Sequence, residues 1–216
     1  MKRLKDTFLE TIQSKVDFRN KTLFEVGCGD GSRTVQMAKY CEHIFAIDPD
    51  ADRVQQATEL NPQKDVTYSV GHAEQMPAED HTFDIVIFTL SLHHVAIKNM
   101  NAALDEAVRV VKQDGYIIVF EPAFNGSFFE AEIAFDACDG DERAEKAVAY
   151  AHMLRHPHLK EVVELYDETV FQFDSDEDFA LSMNPSTGSG EEIKKFLTKH
   201  QYILRANRRI NIFQPC

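Results

Sequence analysis

An acid and three alternating glycines lie in the stretch LFEVGCGDGS, residues 23–32. The glycines are Gly27, Gly29 and Gly31, and the acid is Glu25. Glycines at a turn let a ligand lie against bare backbone, and the N–H groups of a following helix attract an anionic group. The dinucleotide spacing G-x-G-x-x-G is absent, because the third glycine comes one residue early and Ser32 stands in the later place. Glu25 would accept a hydrogen bond from an ammonium group, whereas it would repel a pyrophosphate.

A second acid, Asp48, ends the next predicted strand in IFAIDPD. A carboxylate at this position accepts hydrogen bonds from both hydroxyls of a ribose. Alternatively Asp48 caps the helix that follows, although Asp50 can supply that cap instead. Asp48 therefore indicates a ribose and does not choose between a dinucleotide and an adenosyl-methionine.

His93 and His94, in SLHHV, follow the fourth predicted strand and are candidate general bases. Histidines at such positions also serve as packing or positioning groups. His152 and His156 have a spacing that could bind a metal on a helix, but Pro157 interrupts that helix and no acid stands at a matching position. The four cysteines are far apart in the sequence, so no metal site is predicted.

Short β-rich stretches alternate with helical patterns over the first 120 residues. Strands are predicted at 22–26, 43–47, 66–70, 83–88 and 116–120, and helices at 33–40, 51–60 and 99–111. This alternation is typical of a parallel sheet that is covered on both faces. Farther along, the sequence predicts helices within 124–166, a strand at 168–173, a helix over 176–183 with Ser175 and Asp178 as its capping box, a helix at 191–200 and a closing strand within 202–213.

The predicted fold is thus α/β, a doubly wound, mainly parallel, seven-stranded Rossmann-like sheet with a helical insert between the fifth and sixth strands. We expect one domain over 1–216. Residues 1–122 would form the cofactor-binding core, 124–166 a helical insert that acts as a lid with a hinge near Gly126, and 167–216 the closing strands and helices.

Charge and composition restrict the partners. The chain has 36 acidic and 23 basic residues and a net charge of −13, which disfavours nucleic acid as a partner. No run of 18 apolar residues and no signal-peptide pattern is present, so the sequence predicts a cytoplasmic protein without a membrane span.

Five motifs together resemble class I S-adenosylmethionine-dependent methyltransferases. They are EVGCGDGS, AIDPD, GHAEQMP, FDIVIFTLSLHHV and LDEAVRVVKQDGYIIVFEP. The similarity covers roughly residues 20 to 122 and is greatest to the small-molecule branch (methyltransferase type 11) that includes the ubiquinone/menaquinone-biosynthesis enzymes.

The resemblance implies a role for each matching residue, with S-adenosylmethionine as cofactor and S-adenosylhomocysteine as product. Glu25 and the loop of Gly27, Cys28, Gly29 and Gly31 would hold the methionine end. Asp48 and Pro49 would lie at the ribose, and His72, Ala73 and Glu74 at the adenine. Thr89, Leu90 and Ser91 would lie under the sulfonium and its methyl group. His72 departs from the family's usual acid, so an imidazole nitrogen or the backbone would make that adenine contact.

Three functions remain open at this stage. The first is a methyltransferase that moves a methyl group by in-line displacement to a small, partly apolar, uncharged or cationic acceptor. The second is a nicotinamide-dependent oxidoreductase, which the early third glycine opposes. The third is a protein that binds S-adenosylmethionine without catalysis.

Overall fold

The computed structural model describes residues 1–216 as eight strands and eight α-helices. The strands are β1 (Lys2–Asp6), β2 (Thr22–Val26), β3 (His43–Asp48), β4 (Val66–Val70), β5 (Phe83–Thr89), β6 (Val111–Pro122), β7 (Leu159–Gln172) and β8 (Ile203–Pro215). The helices are α1 (Phe8–Gln13), α2 (Thr34–Met37), α3 (Ala51–Leu60), α4 (Met100–Val110), α5 (Ser127–Phe135), α6 (Arg143–Arg155), α7 (Asp176–Met183) and α8 (Gly190–Lys199). No helix is both long and apolar enough to cross a membrane.

All eight strands form one sheet in the order β1-β7-β8-β6-β5-β2-β3-β4. Five neighbouring strands are parallel to one another, namely β6, β5, β2, β3 and β4. In contrast, β8 pairs antiparallel with both β6 and β7, and β1 pairs antiparallel with β7. From β2 the chain first builds outward to β3 and β4 and then returns to build β5 and β6 on the other side. The order of strands therefore reverses at β2, and ligands of such sheets bind at the carboxyl edge beside this reversal.

Apolar side chains bury both faces of the sheet, as a doubly wound fold requires. On one face the buried Leu104 and Ala107 of α4 pack with Val119 of β6. On the other face Phe8 and Ile12 of α1 pack with Phe120 of β6. Phe8 and Phe120 stack with their ring centroids 5.2 Å apart. Neighbouring residues of β6 thus point into two separate cores.

The prediction of seven strands was wrong, because the sheet has eight. The additional strand is β1, whose sequence KRLKD is charged and whose burial pattern is almost entirely exposed. A short, charged edge strand carries no apolar alternation, so sequence patterns miss it. The second error concerns residues 159–166, LKEVVELY, which were predicted as helix and form the first half of β7. These residues pair with β8, a partner about 50 positions away that no local pattern reveals.

The other helices follow the sequence prediction with two differences. The helix expected over 33–40 is reduced to the single turn of α2. Ser175 caps α7 as predicted by accepting from the Asp178 N–H at 3.2 Å, but the Asp178 carboxylate accepts from the Asp174 N–H and not from Ser175. The reciprocal capping box lies at α8, between Ser189 and Glu192.

Helices α5 and α6 lie between β6 and β7, where a lid was predicted. The chain turns into α5 at Gly126, which has a φ of +122°. A Cβ at this position would lie 2.4 Å from the carbonyl oxygen of Arg205, and the Arg205 N–H donates to Ser127 Oγ at 2.9 Å. The start of α5 is therefore packed tightly on β8, which does not support a hinge at Gly126. Mobility of α5 and α6 remains a prediction.

Candidate active site

A cavity of about 1020 Å³ follows the carboxyl edge of the sheet from β3 to β7. Most of the predicted site residues line it: Gly27, Cys28, Gly29, Asp48, Pro49, His72, Ala73, Glu74, Thr89, Leu90, Ser91, His93 and His94. Glu25 and Gly31 do not line this cavity. The sheet therefore brings motifs from four separate strand ends to one site.

Contacts within the protein, more than space for a ligand, explain why glycine is needed at two positions of the loop. Gly27 has a φ of +81°, and a Cβ there would lie 2.3 Å from the Cβ of Ser91. The Ser91 hydroxyl donates to the Val26 carbonyl oxygen at 2.6 Å, so the ends of β2 and β5 touch at this point. A Cβ at Gly31 would lie 2.6 Å from the Tyr68 hydroxyl, on the β4 side. Only at Gly29 would an added Cβ meet no close neighbour, because the nearest atom is Arg53 Nη1 at 3.7 Å.

Glu25 is fully buried on β2, beneath the loop. Its Oε2 accepts a hydrogen bond from the Thr34 hydroxyl at 2.6 Å, whereas Oε1 has no partner. Burial raises the pKa of Glu25 to about 7, and the nearby hydroxyls of Thr34 and Thr89 and the charge of Arg33 only partly oppose this rise. A buried carboxyl with one vacant oxygen is suited to a cationic ligand group such as an ammonium.

Asp48 ties the loop to the end of β3. Its Oδ2 accepts the Gly29 N–H at 2.9 Å, and its Oδ1 accepts the Asp50 N–H at 3.0 Å. Asp50, and not Asp48, caps α3, because the Asp50 side chain accepts from the N–H groups of Asp52 and Arg53. The capping alternative for Asp48 was therefore wrong. Each carboxylate oxygen can accept a further hydrogen bond, and Asp48 lines the cavity.

The turn after β4 forms one end of the cavity. His72 and Gln75 pair across this turn as an isolated bridge, and Ala73 is buried within it. The Glu74 Oε1 accepts from the Asn99 side-chain amide at 2.7 Å, which fixes the carboxylate of Glu74. A contact of His72 with an adenine remains a prediction.

The end of β5 carries an unusual backbone conformation. Leu90 has a φ of +54°, in the left-handed region that bulky residues rarely adopt. Its N–H donates to the Phe120 carbonyl oxygen at 2.8 Å, which holds this turn against β6. Beside it, the buried Thr89 hydroxyl lines the cavity and has no hydrogen-bond partner. Strained backbone of this kind often occurs where side chains must be aimed at a ligand.

The two candidate bases have different surroundings. The buried His93 contacts the carboxylate of Glu121 through Nδ1, and its Nε2 lies 3.5 Å from Glu142. Burial lowers the pKa of His93, but the charges of Glu121 and Glu142 outweigh burial and raise the pKa to about 9. His93 is thus an imidazolium near pH 7. The pKa of His94 is lowered by burial and by the charge of His93, so His94 is neutral at the same pH.

Glu142, directly before α6, and Lys146 of α6 complete this cluster. The Lys146 ammonium is buried, lies 3.1 Å from Glu142 Oε2 and rests 4.6 Å from the centroid of the Phe129 ring. Ligand atoms of His93, His94 and Glu142 lie within 4.8 Å of one another, close enough to hold a metal ion. The adjacent Lys146 already provides a cation at Glu142.

Glu142, Lys146 and two arginines that also line the cavity, Arg33 and Arg208, were not predicted from the sequence. Glu142 directly precedes α6 and Lys146 lies four positions later on it, so the two side chains can face the same way, but nothing in the sequence indicates that they face His93. The motif RANRR is conspicuously basic in an acidic chain and could have indicated Arg208.

These features define an α/β protein with a cavity at the reversal point of its sheet, where ligands of doubly wound sheets bind. Residues 24–119 match the family described as methyltransferase domain. YafE of Escherichia coli, an uncharacterised protein, is 37% identical over 98 residues, which are 44% of this chain and 46% of YafE. UbiE of Rickettsia bellii, a ubiquinone/menaquinone biosynthesis C-methyltransferase, is 28% identical over 127 residues, which are 54% of this chain and 49% of UbiE.

The matched segment thus spans just under half the length of each of these relatives. The likeness in fold is more extensive. The crystal structure of a provisionally assigned methyltransferase of Bacillus halodurans matches with a TM-score of 0.66 over 95% of this chain and 96% of that one, at 20% identity. The α/β methyltransferase fold therefore extends well beyond the segment that the sequence comparisons detect.

Proposed function

We propose that this chain is an S-adenosylmethionine-dependent methyltransferase that moves a methyl group to a small organic acceptor. The observation that carries the proposal is the arrangement at the reversal point: the vacant oxygen of Glu25 lies beneath the glycine loop, and Asp48 lies beside that loop on the next strand. The two acids suit the two polar ends of this cofactor, an ammonium group and a ribose. Bound S-adenosylmethionine would supply a methyl group that is already activated by its sulfonium.

The residues around the methyl position then have mainly to align the acceptor. Thr89, Leu90 and Ser91 are fixed at the end of β5 by the contacts of this strand with β2 and β6. Alignment of reacting groups is worth up to ~7–11 kcal/mol in well-oriented cases. Where the acceptor must lose a proton, His94 is the suitable base because it is neutral and lines the cavity. His93, already protonated, positions its neighbour and contributes positive charge.

A nicotinamide-dependent oxidoreductase is disfavoured by the same site. Dinucleotide sites place the pyrophosphate at the N-terminus of the helix after the glycine loop. Here that helix is the single turn of α2, Asp30 lies in the loop and Glu25 lies beneath it. These two acids would repel a pyrophosphate, whereas Asp48 is compatible with either ligand.

The test has two stages. Thermal melting should show that S-adenosylmethionine and S-adenosylhomocysteine stabilise the protein whereas NAD and NADP do not, and a ligand at 100 times its Kd adds ~2.7 kcal/mol. Stabilisation by NAD alone would contradict the proposal. Transfer of labelled methyl groups is then measured with metabolite extract, total RNA and total protein as acceptors. Label in the metabolite fraction supports a small acceptor, label mainly in RNA contradicts it, and binding without any transfer identifies a non-catalytic protein.

A further inference from the structure

Three arginines line one end of the cavity in a chain whose net charge is −13. Arg3 lies on β1, Arg33 directly precedes α2 and Arg208 lies on β8. Two carboxylates accompany them, Asp6 on β1 and Asp167 on β7. Locally, three positive charges thus face two negative charges, the reverse of the balance in the chain as a whole.

Arg208 has a clear structural role. Its Nε donates to Asp167 Oδ1 at 2.9 Å, and its Nη2 lies 2.7 Å from Asp6 Oδ1. Asp6 also lies 3.3 Å from the Arg3 guanidinium. These pairs join β1, β7 and β8, but both Asp6 oxygens are buried and neither accepts a hydrogen bond.

Arg33 has no such partner. Its Nε is buried without a hydrogen-bond partner, and its guanidinium lies 5.7 Å from the centroid of the Phe120 ring and 6.0 Å from that of Phe8. Burial lowers the pKa of Arg33 to about 10, and the nearby charge of Asp6 only partly opposes this change, so the group stays charged near pH 7. A buried charge without a partner lowers the stability of the folded protein unless a ligand of opposite charge pairs with it.

Three hydrogen-bond donors of the cavity wall at this end are buried without a partner. They are Arg33 Nε, Arg208 Nη1 and the Thr169 hydroxyl. Two charged donors and one hydroxyl around one cavity are suited to an anion that carries at least two oxygens, such as a carboxylate.

The position of these donors relates them to the acceptor. Thr89 is paired with Phe120 across β5 and β6, and Arg208 with Pro122 across β6 and β8. Since neighbouring strands lie ~4.8 Å apart, the Arg208 backbone is roughly 10 Å from the end of β5. Beside Arg3 the cavity wall also includes Phe171 of β7 and Phe128 of α5, whose ring centroids are 4.8 Å apart. A small, partly apolar body with an anionic end is suited to such a cavity.

We propose that Arg33, Arg208 and Thr169 bind a carboxylate of the methyl acceptor, so that the substrate is a small, partly apolar organic acid. This inference rests on the proposed function. It replaces the expectation of an uncharged or cationic acceptor, which relied on the net charge of the chain. Net charge repels nucleic acids at a distance, but solvent-exposed charges are screened over ~8 Å in physiological salt, whereas these guanidinium groups act inside the cavity.

The experiment uses the full chain saturated with S-adenosylhomocysteine and titrated with benzoate, 4-hydroxybenzoate, phenylacetate and, as an uncharged control, benzamide. At least one carboxylate should bind and benzamide should not. Arg33→Gln should weaken that binding at least tenfold, and Thr169→Val several-fold. Arg19→Gln is the matched control, because Arg19 is exposed and pairs only with Asp17. Arg33→Gln should also melt no lower than the wild type, since it removes an unpaired charge.

Two results would overturn the proposal. One is that no carboxylate binds, or that Arg33→Gln binds it as the wild type does. The other is that Arg33→Gln weakens S-adenosylhomocysteine while leaving 5′-methylthioadenosine and the carboxylates unchanged, which would assign the guanidinium to the carboxylate of the cofactor. Carboxylate binding that depends on Arg33 in a protein without affinity for S-adenosylhomocysteine would contradict the proposed function and leave the anion site standing.

Discussion

Replacement of Glu25 by Gln tests both the buried carboxyl and its proposed ligand. The pKa of Glu25 is raised from 4.5 to about 7 in the folded protein, so the folded state binds this proton more tightly than the unfolded state does. The contribution of Glu25 to stability is therefore most favourable below pH 4.5 and is lost as the pH rises through 7. The full shift in the pKa of Glu25 corresponds to about 3 kcal/mol in the free energy of unfolding, of which about 2.5 kcal/mol is lost between pH 5 and pH 8.

Urea unfolding of the wild type and of Glu25→Gln at several pH values measures this effect. Glutamine is neutral throughout, so the stability of the variant relative to the wild type should rise by about 2.5 kcal/mol from pH 5 to pH 8. All other titrating groups are shared and cancel in the difference. Glu42→Gln provides the matched control, because Glu42 is exposed and its side chain forms no hydrogen bond or ion pair. A difference that does not change with pH would refute the assignment of a buried, protonated carboxyl.

The same variant tests the cofactor contact. If an ammonium group of the ligand ionises Glu25, binding of S-adenosylhomocysteine at pH 7 should release about half a proton. Calorimetry in buffers of different ionisation enthalpy measures this release directly. Glu25→Gln should bind more weakly and release no proton. Equal proton release in both proteins would show that the ligand does not reach Glu25.

Three further predictions concern the cavity wall. Asp48→Ala should weaken binding of S-adenosylhomocysteine by ~1.5–3 kcal/mol for each lost hydrogen bond while the protein stays folded, and wild-type affinity by calorimetry would remove Asp48 from the site. His94→Gln should lower the rate of methyl transfer by a factor of ~10²–10⁴ if the acceptor loses a proton. As the pH is lowered, the rate of the wild type should fall only below the lowered pKa of His94. An unchanged rate in the variant would exclude His94 as the base. Gly27→Ala should destabilise the protein by about 2–4 kcal/mol, because the added Cβ would lie 2.3 Å from the Cβ of Ser91 and the backbone is in a left-handed conformation. Ser91→Gly should recover part of this loss. If Gly27→Ala melted at the wild-type temperature, this geometry would be contradicted.

The cofactor half of the site could be predicted from the sequence because its signals are local. Gly27, Asp48 and Thr89 each end a strand within a short βα unit, and parallel strands bring such ends to one edge. The physical reason why each position needs its residue type could not be predicted as well. Gly27 was expected to make room for a ligand, but its Cβ would collide with Ser91, which is 64 positions away in the chain.

The acceptor half could not be predicted because it depends on remote pairing. Residues 159–166 contain good helix formers, and only β8 makes them a strand. Likewise, the sequence indicates that Glu142 and Arg33 are charged but not that one faces His93 while the other is left without a partner. Burial and missing partners, rather than residue types, distinguish these side chains.

The position of β1 at the edge of the sheet has a consequence for synthesis of the chain. Lys2 pairs with Gln172 and Asp6 with Thr169, so β1 is synthesised more than 160 residues before the residues of β7 with which it pairs. The parallel strands that hold the glycine loop and Asp48 are all complete by Pro122. A nascent chain should therefore form the cofactor half of the cavity well before it forms the end of the cavity that contains Arg3 and Arg208. Until β8 has been made, the edge of β6 that pairs with it is open to other strands, and once β7 has been made the charged sequence of β1 covers the other edge of β7.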